Sequence, residues 1–302
     1  MRQTFCPICR RTEFELVYRS SLPTTFDEAH PPGPYTAHYQ IGRCRDCELM
    51  RSNPIMDEMG VTALYLNSSE TNVTVGEEEN VRLTMRGYYE LARPYLPAKE
   101  RILDIGCDMG FLLNVAKADG FTELCGTEPT PVARRTAEKI AGSNISAEFY
   151  EQANYAQSSF DLITMIHVLD HLYDPSIVLK RAISDLKPGG VIVAVVHNVN
   201  SILGKILGEK FPIFNLYHHY FFSKSTLGRL FESQGFDVIK VVSTKNCYSL
   251  GFFAERNPFL PKRIRRYLHN FLKILKVDEF PVTIPVGNIG IVARRPALSP
   301  PI

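Results

Sequence analysis

Ile102-Leu103-Asp104-Ile105-Gly106-Cys107-Asp108-Met109-Gly110 runs from a hydrophobic strand into a glycine-spaced turn that opens a helix. Gly106 lets the backbone pass close to a ligand, and Gly110 permits tight entry into the helix. A turn of this kind brings backbone N–H groups and a helix N-terminus against a nucleotide-like cofactor. Glu128 lies 22 residues beyond Gly106, at the end of the next strand. A carboxylate placed there accepts hydrogen bonds from two ribose hydroxyls.

Outward from this turn, hydrophobic strands and amphipathic helices alternate. The pattern predicts strands at 101–105, 123–128, 160–166 and 191–197, and helices at 110–119, 131–141 and 174–187. A helix at 225–234 and strands at 236–243 and 288–293 complete the set. Such alternation argues for an α/β fold, a doubly wound parallel sheet. Lys187-Pro188-Gly189-Gly190 is read as the turn between the third helix and its strand. Residues 198–224 and 244–285 are extra. Both are expected to leave the carboxyl ends of strands, where ligands bind in such sheets, and to cap the substrate. Upstream, 56–98 reads as a helical linker or lid, with helical spacing over 80–96 and a polar loop near 68–79.

After these motifs come Ser159-Phe160-Asp161-Leu162-Ile163, His167-Val168-Leu169-Asp170-His171-Leu172 and Leu186-Lys187-Pro188-Gly189-Gly190. In this order and spacing the set resembles class I S-adenosylmethionine-dependent methyltransferases. LDIGCDMG looks like their first motif, GTEP like the ribose-binding acidic motif, and FDLITMIHVLDHL and LKPGG like later ones. The likeness spans about residues 100–295. It implies a Rossmann-like, seven-stranded sheet with an antiparallel last strand, within a domain at 99–298. It implies S-adenosyl-L-methionine as cofactor, with the methionine part held by Asp104 and the turn Gly106, Cys107, Asp108 and Gly110. Glu128 and Pro129 would take the ribose, Gln152 would border the adenine, and Ile166 and His167 would line the methyl end. Asp108 stands where the family has its middle glycine; Asp tolerates a positive φ better than most residues. A nicotinamide-binding Rossmann domain is the rival, but the third glycine of GxGxxG is missing and LKPGG has no place in it.

Cys6, Cys9, Cys44 and Cys47 form two CxxC pairs with 34 residues between them. Two such turns complete a tetrahedral, closed zinc site, structural and not catalytic. Residues 1–55 are too poor in apolar groups for a core of their own, so a zinc-ribbon-like module stapled by metal is expected. With four cysteines present, His30 and His38 are read as loop histidines. The run Cys44–Leu49 followed by Asn53-Pro54 resembles the segment preceding the catalytic domain in sugar C-methyltransferases, with Glu48 where glycine is usual.

A hydroxyl or carbon acid that accepts a methyl group needs a general base, most often histidine. His171 lies just beyond a sheet strand, and the family likeness implies a histidine there. His218 and His219, within Tyr217–Phe222 at the end of the first insertion, are the other candidates. The stretch 263–276, RIRRYLHNFLKILK, is amphipathic and basic, suited to a membrane surface or a lipid-linked substrate. The apolar run 202–217 would join it there.

The chain has 302 residues, 45% hydrophobic and 22% charged, with net charge +2. That balance fits a globular protein with an ample core and not a nucleic-acid binder. No leader peptide is visible, and seven cysteines without a disulfide pattern fit a reducing cytoplasm. The expected function is methylation of oxygen or carbon on a small-molecule or carrier-linked acceptor, such as a sugar, polysaccharide precursor or secondary metabolite. The alternatives are ribosomal RNA methylation and a degenerate relative that only binds cofactor or a partner. Oligomeric state is not legible.

Overall fold

The computed structural model describes residues 2–23, 37–57, 59, 60, 62, 76–257 and 260–297. His30, and the polar stretch 68–79 as far as residue 75, lie outside them. The chain begins with three short strands, β1 (Phe14–Tyr18), β2 (Ile41–Cys44) and β3 (Met50–Ser52). Helix α1 (Glu78–Ala92) follows, then β4 (Arg101–Ile105), α2 (Phe111–Ala118), β5 (Glu123–Thr127), α3 (Pro131–Ala141) and the short β6 (Ile145–Ser146). Next come β7 (Phe160–Ile166), α4 (Pro175–Asp185) and β8 (Leu186–His197). The first insertion holds α5 (Ile202–Leu207) and β9 (Tyr220–Phe221), and α6 (Lys224–Ser233) and β10 (Asp237–Ser243) return to the sheet. The second insertion holds β11 (Asn246–Ser249), α7 (Leu250–Arg256), α8 (Lys262–Ile274) and β12 (Pro281–Ile284), before the last strand β13 (Asn288–Arg294).

The central sheet has seven strands in the order β10-β13-β8-β7-β4-β5-β6. All run parallel except β13, which is antiparallel to both β8 and β10. Successive side chains of a strand point to opposite faces, and here both faces are covered. Ile102, Leu162, Val191, Val193 and Val195 pack under α1 and α2. Leu103, Ile163, Ile192, Ala194 and Val196 pack under α4 and α6. Burial on both faces is why these strands read as unbroken hydrophobic runs.

Strand β8 begins at Leu186, earlier than the turn reading of 187–190 predicts. The Gly189 N–H donates to the Arg295 carbonyl and the Arg295 N–H to that of Gly190, so the LKPGG segment is drawn into the sheet. Gly189 takes φ +78°. Gly190 has the Phe160 carbonyl oxygen 3.0 Å from where a Cβ would stand.

A second sheet has the order β1-β2-β3-β9. Its fourth strand belongs to the first insertion, with Met50 opposite Phe221 and Arg51 opposite Tyr220. The N-terminal segment is therefore sewn to the first insertion by backbone pairing, which no local pattern announces. The apolar run of that insertion folds inward: Phe211, Ile213 and Phe214 pack with Ile41, Met50 and Phe221. This corrects the idea that 202–217 as a whole turns outward; Ile202 and Ile206 alone of its large apolar residues stay exposed.

Both insertions leave the carboxyl-end rim of the sheet. The second docks on α1 through side chains. Thr84 Oγ accepts from the Cys247 N–H at 2.8 Å, and the Tyr88 hydroxyl donates to Asn246 Oδ1 at 2.6 Å. The buried Glu77 carboxylate accepts from the Ser249 hydroxyl at 2.5 Å and its N–H at 3.1 Å. Among the described residues no helix is long and apolar enough to cross a membrane.

Candidate active site

The turn after β4 keeps the shape its glycines call for. Gly106 and Gly110 sit at φ +67° and +80°, and Asp108 takes a left-handed φ of +46°. A Cβ on Gly106 would stand 2.7 Å from Val168 Cγ2, and one on Gly110 3.0 Å from Ala137 Cα. The Asp108 N–H donates to Glu128 Oε2 at 3.0 Å, and the Thr130 N–H to Glu128 Oε1 at 2.8 Å. One carboxylate thus ties the glycine turn to the end of β5, and each oxygen keeps a lone pair for a sugar hydroxyl.

Three carboxyls crowd this end. Burial pushes Asp104 up to about 7, the neighbouring charges of Glu128 and Asp108 adding to it, against the Thr164 hydroxyl that donates at 2.6 Å. Burial, then Glu128, pushes Asp108 up to about 6. A cluster of carboxyls short of positive charge is a fit receptor for a cationic ligand. Cys107 turns its thiol inward, 2.9 Å from where a Gly126 Cβ would be, so it reaches a ligand through backbone alone. Pro129 follows Glu128 directly, and Gln152 lies exposed in the turn after β6.

At the neighbouring strand ends the polypeptide gathers imidazoles. Ile166 ends β7, and His167 follows with φ +55°, its ring 4.6 Å from that of His197 at the end of β8. Asp170, 3% exposed, lies among the histidines. Its Oδ2 stands 3.1 Å from His197 Nδ1 and 3.8 Å from His218 Nε2, and its Oδ1 3.9 Å from His171 Nε2. The His171 and His218 rings are 4.4 Å apart.

Burial pushes His167 down to about 3 and His218 to about 4, and His171 well below its ordinary value. Burial works to raise Asp170, but His171, His197 and His218 around it hold it below the usual carboxylate range. His197 is the residue that sequence reasoning missed. Its position at the end of β8, beside the strand carrying His167, is the signal that could have found it.

His219 departs from its expected role. It is buried against Tyr39, its Nδ1 donating to the Leu172 carbonyl at 3.2 Å, and burial pushes it down to about 4. Its N–H donates to the Asp170 carbonyl and its carbonyl accepts from Ser52, so it joins rim to N-terminal module. That backbone pairing leaves it in a packing place and not at an open rim.

A cavity of about 300 Å³ lies between α1 and the second insertion, lined by Thr84, Tyr88, Ser243, Thr244 and Cys247 among others. Tyr88 connects it to the rim, its ring 6.4 Å from that of His167. At the other end of the molecule the four cysteine sulfurs lie within 4.8 Å of one another. Cys6 and Cys47 are 3.3 Å apart and Cys9 and Cys44 3.4 Å, too far for disulfides. Sulfurs around one zinc at about 2.3 Å stand roughly 3.8 Å apart, so small shifts give a four-thiolate ligand set. His38 is no part of it: its Nε2 faces Glu209 of the first insertion at 3.4 Å.

Comparison with known proteins agrees with this geometry. Residues 78–241, more than half of the chain, match a family described as methyltransferase domain. The ubiquinone biosynthesis O-methyltransferase of Vibrio cholerae is 32% identical over 120 residues, 37% of this chain and 48% of the relative. That of Aeromonas salmonicida is 30% identical over 150 residues, 45% of this chain and 62% of the relative. The chain therefore spans about half to three-fifths of the length of these curated relatives. Its fold is like that of a chain in the solved complex between the Haloferax volcanii Trm112 methyltransferase activator and its methyltransferase. That likeness has a TM-score of 0.53 at 14% identity and covers 75% of this chain and 96% of the other. With this family match over more than half of the chain and the seven-stranded sheet in place, the chain belongs to the S-adenosylmethionine-dependent methyltransferases.

Proposed function

We propose that this enzyme methylates an oxygen of a small-molecule or carrier-linked acceptor bound at the rim between β7 and β8, with carbon as the alternative acceptor atom. The observation that carries the reading is the His197–Asp170 pair, 3.1 Å apart, on the strand beside the one bearing His167. Bound at the glycine turn, S-adenosylmethionine supplies an electrophilic methyl group on a sulfonium. In this reading Asp104 and the 106–110 backbone hold its methionine part, Glu128 its ribose, and the Gln152 turn borders its adenine. Ile166 and His167 line the methyl end.

Asp170 accepts the Nδ1–H of His197, which fixes the tautomer and leaves Nε2 as the basic nitrogen. With the cofactor bound, His197 Nε2 would take the proton of the acceptor hydroxyl and leave its oxygen free to accept the methyl group. The residues around the rim must hold that oxygen about 3–3.5 Å from the methyl group, opposite sulfur. The two insertions cap the acceptor, and the cavity beside Tyr88 is its approach.

Helix α8 supports an acceptor drawn from a lipid surface. No residue of it is buried, and Tyr267 and Ile274 are 73% and 77% exposed. An isolated amphipathic helix ordinarily buries its apolar stripe on its own core; here the stripe stays open, flanked by Arg263, Arg266 and Lys273. The four-cysteine set holds structural zinc. The curated relatives, named as O-methyltransferases, support oxygen as the acceptor atom.

Methyl-tritiated S-adenosylmethionine given to the purified chain with fractionated cell extract tests the reading. Label in small molecules is expected, in the chloroform-soluble fraction if the acceptor is lipid-linked. Label confined to RNA would overturn it. Co-sedimentation with anionic vesicles, weakened by Tyr267→Ser with Ile274→Ser, is expected for α8; no sedimentation by the unaltered chain would remove the lipid surface.

A further inference from the structure

The Asp170 cluster carries more than a hydrogen-bonded pair. His218 Nδ1 stands 2.7 Å from the Ile213 carbonyl oxygen and 3.1 Å from Asn215 Nδ2; the closer carbonyl can only accept, which favours the ring hydrogen on Nδ1. The lone pair of Nε2 then faces an Asp170 oxygen at 3.8 Å, lone pair toward lone pair. Asp170 Oδ1 is buried and accepts no hydrogen bond, with His171 Nε2 at 3.9 Å. Among the described residues the ion-pair partners of Asp170 are all histidines. Buried carboxylates are ordinarily paired or coordinate a metal.

We propose that Asp170, His171 and His218 bind a divalent transition-metal cation. Two ligands of one ion at about 2.0–2.2 Å stand at most about 4.2 Å apart. Asp170 comes within that reach of both histidines, through Oδ2 to His218 and Oδ1 to His171, and one donor atom from each of the three lies within 4.8 Å of the others, so small side-chain shifts close the set. Two imidazoles and a carboxylate make a donor set that first-row divalent metals favour.

The supporting contacts are those of a metal ligand. A ligating imidazole commonly donates its other N–H to a carbonyl, as His218 does to Ile213. A ligating carboxylate is itself hydrogen-bonded, as Asp170 Oδ2 is to His197. His197, 33% exposed in its side chain, marks the solvent side through which an ion enters. This site is separate from the four cysteines and does not depend on which acceptor is methylated.

Cobalt(II) added to the metal-stripped 302-residue chain tests the inference, because thiolate and imidazole ligands colour it differently. Two equivalents are expected: one with intense sulfur-to-cobalt absorption in the near ultraviolet, the other with weak visible bands alone. Asp170→Asn and His218→Gln should each abolish the second equivalent and keep the first, while Cys9→Ser should do the reverse. Titration with S-adenosylhomocysteine selects the variants that remain folded. A single equivalent in the unaltered chain overturns the site. So does a second equivalent that survives in both folded rim variants.

Discussion

The two ends of the proposed active site are built by opposite means. At the cofactor end, Asp104, the glycine turn and Glu128 come from one β–α–β unit of consecutive sequence, joined through a single carboxylate. At the acceptor end, His167, Asp170 and His171 from one loop meet His197 from β8 and His218 from the first insertion. The first end is held by backbone geometry and the second by tertiary packing. A change to the outer modules should therefore disturb the second and spare the first.

The strongest way to break this comparison is to unmake the four-cysteine module. Structural zinc contributes on the order of 10 kcal/mol of apparent folding free energy to such small segments. Cys44→Ser should unfold the β1-β2-β3-β9 sheet, and β9 lies beside His218 and His219. Hydrogen exchange is expected to rise across 2–57 and 211–222, with turnover lost and S-adenosylhomocysteine affinity changed less than about threefold. Lost cofactor affinity would show that the two ends are one unit. Next in size, His197→Asn should lower turnover by about 10²–10⁴-fold, the usual worth of a general base, with unchanged cofactor binding by calorimetry. Full turnover would remove His197 from the chemistry.

The same contrast explains what the sequence disclosed. Ile102–Gly110, Glu128 and the alternating strands were legible because each depends on neighbours in sequence, through strand periodicity and the positive φ of a turn. The seven strands and the antiparallel β13 came from the family likeness and match the sheet. The pairing of β3 with β9 was not legible, since two short strands about 170 residues apart leave no periodic trace. For the same reason His197 escaped notice: its value lies in Asp170, which another strand delivers. His219 looked equivalent to His218, yet adjacent residues point in different directions, one to the cluster and one to Tyr39.

A smaller effect sharpens the cofactor end. Glu128→Gln keeps an acceptor for one backbone N–H but loses the charge that two ribose hydroxyls and the Asp108 N–H address. Hydrogen bonds to charged groups are worth about 1.5–3 kcal/mol, so cofactor affinity should fall roughly 10–100-fold. The pairing of His197 with Asp170, and any cobalt bound at the rim, should be untouched. Equal losses at both ends would mean that the two are coupled.

The smallest effect is one of pH, and its sign follows from Asp104. Burial, with Glu128 and Asp108 beside it, places its carboxyl near 7, so the free enzyme carries a proton there below that pH. The cofactor brings a sulfonium and an amino group, both positive, and binds the ionised carboxylate better. Binding below pH 7 must therefore expel the proton, which costs up to tenfold in affinity per pH unit for each group so linked. Asp108, near 6, adds to the slope below that value. S-adenosylmethionine affinity should rise from pH 5 to 7 and level off above it, with proton release visible as a buffer-dependent enthalpy. Asp104→Asn should flatten the upper part of that profile. A flat profile in the unaltered enzyme would mean that this carboxyl faces Thr164 alone and takes no part in holding the cofactor.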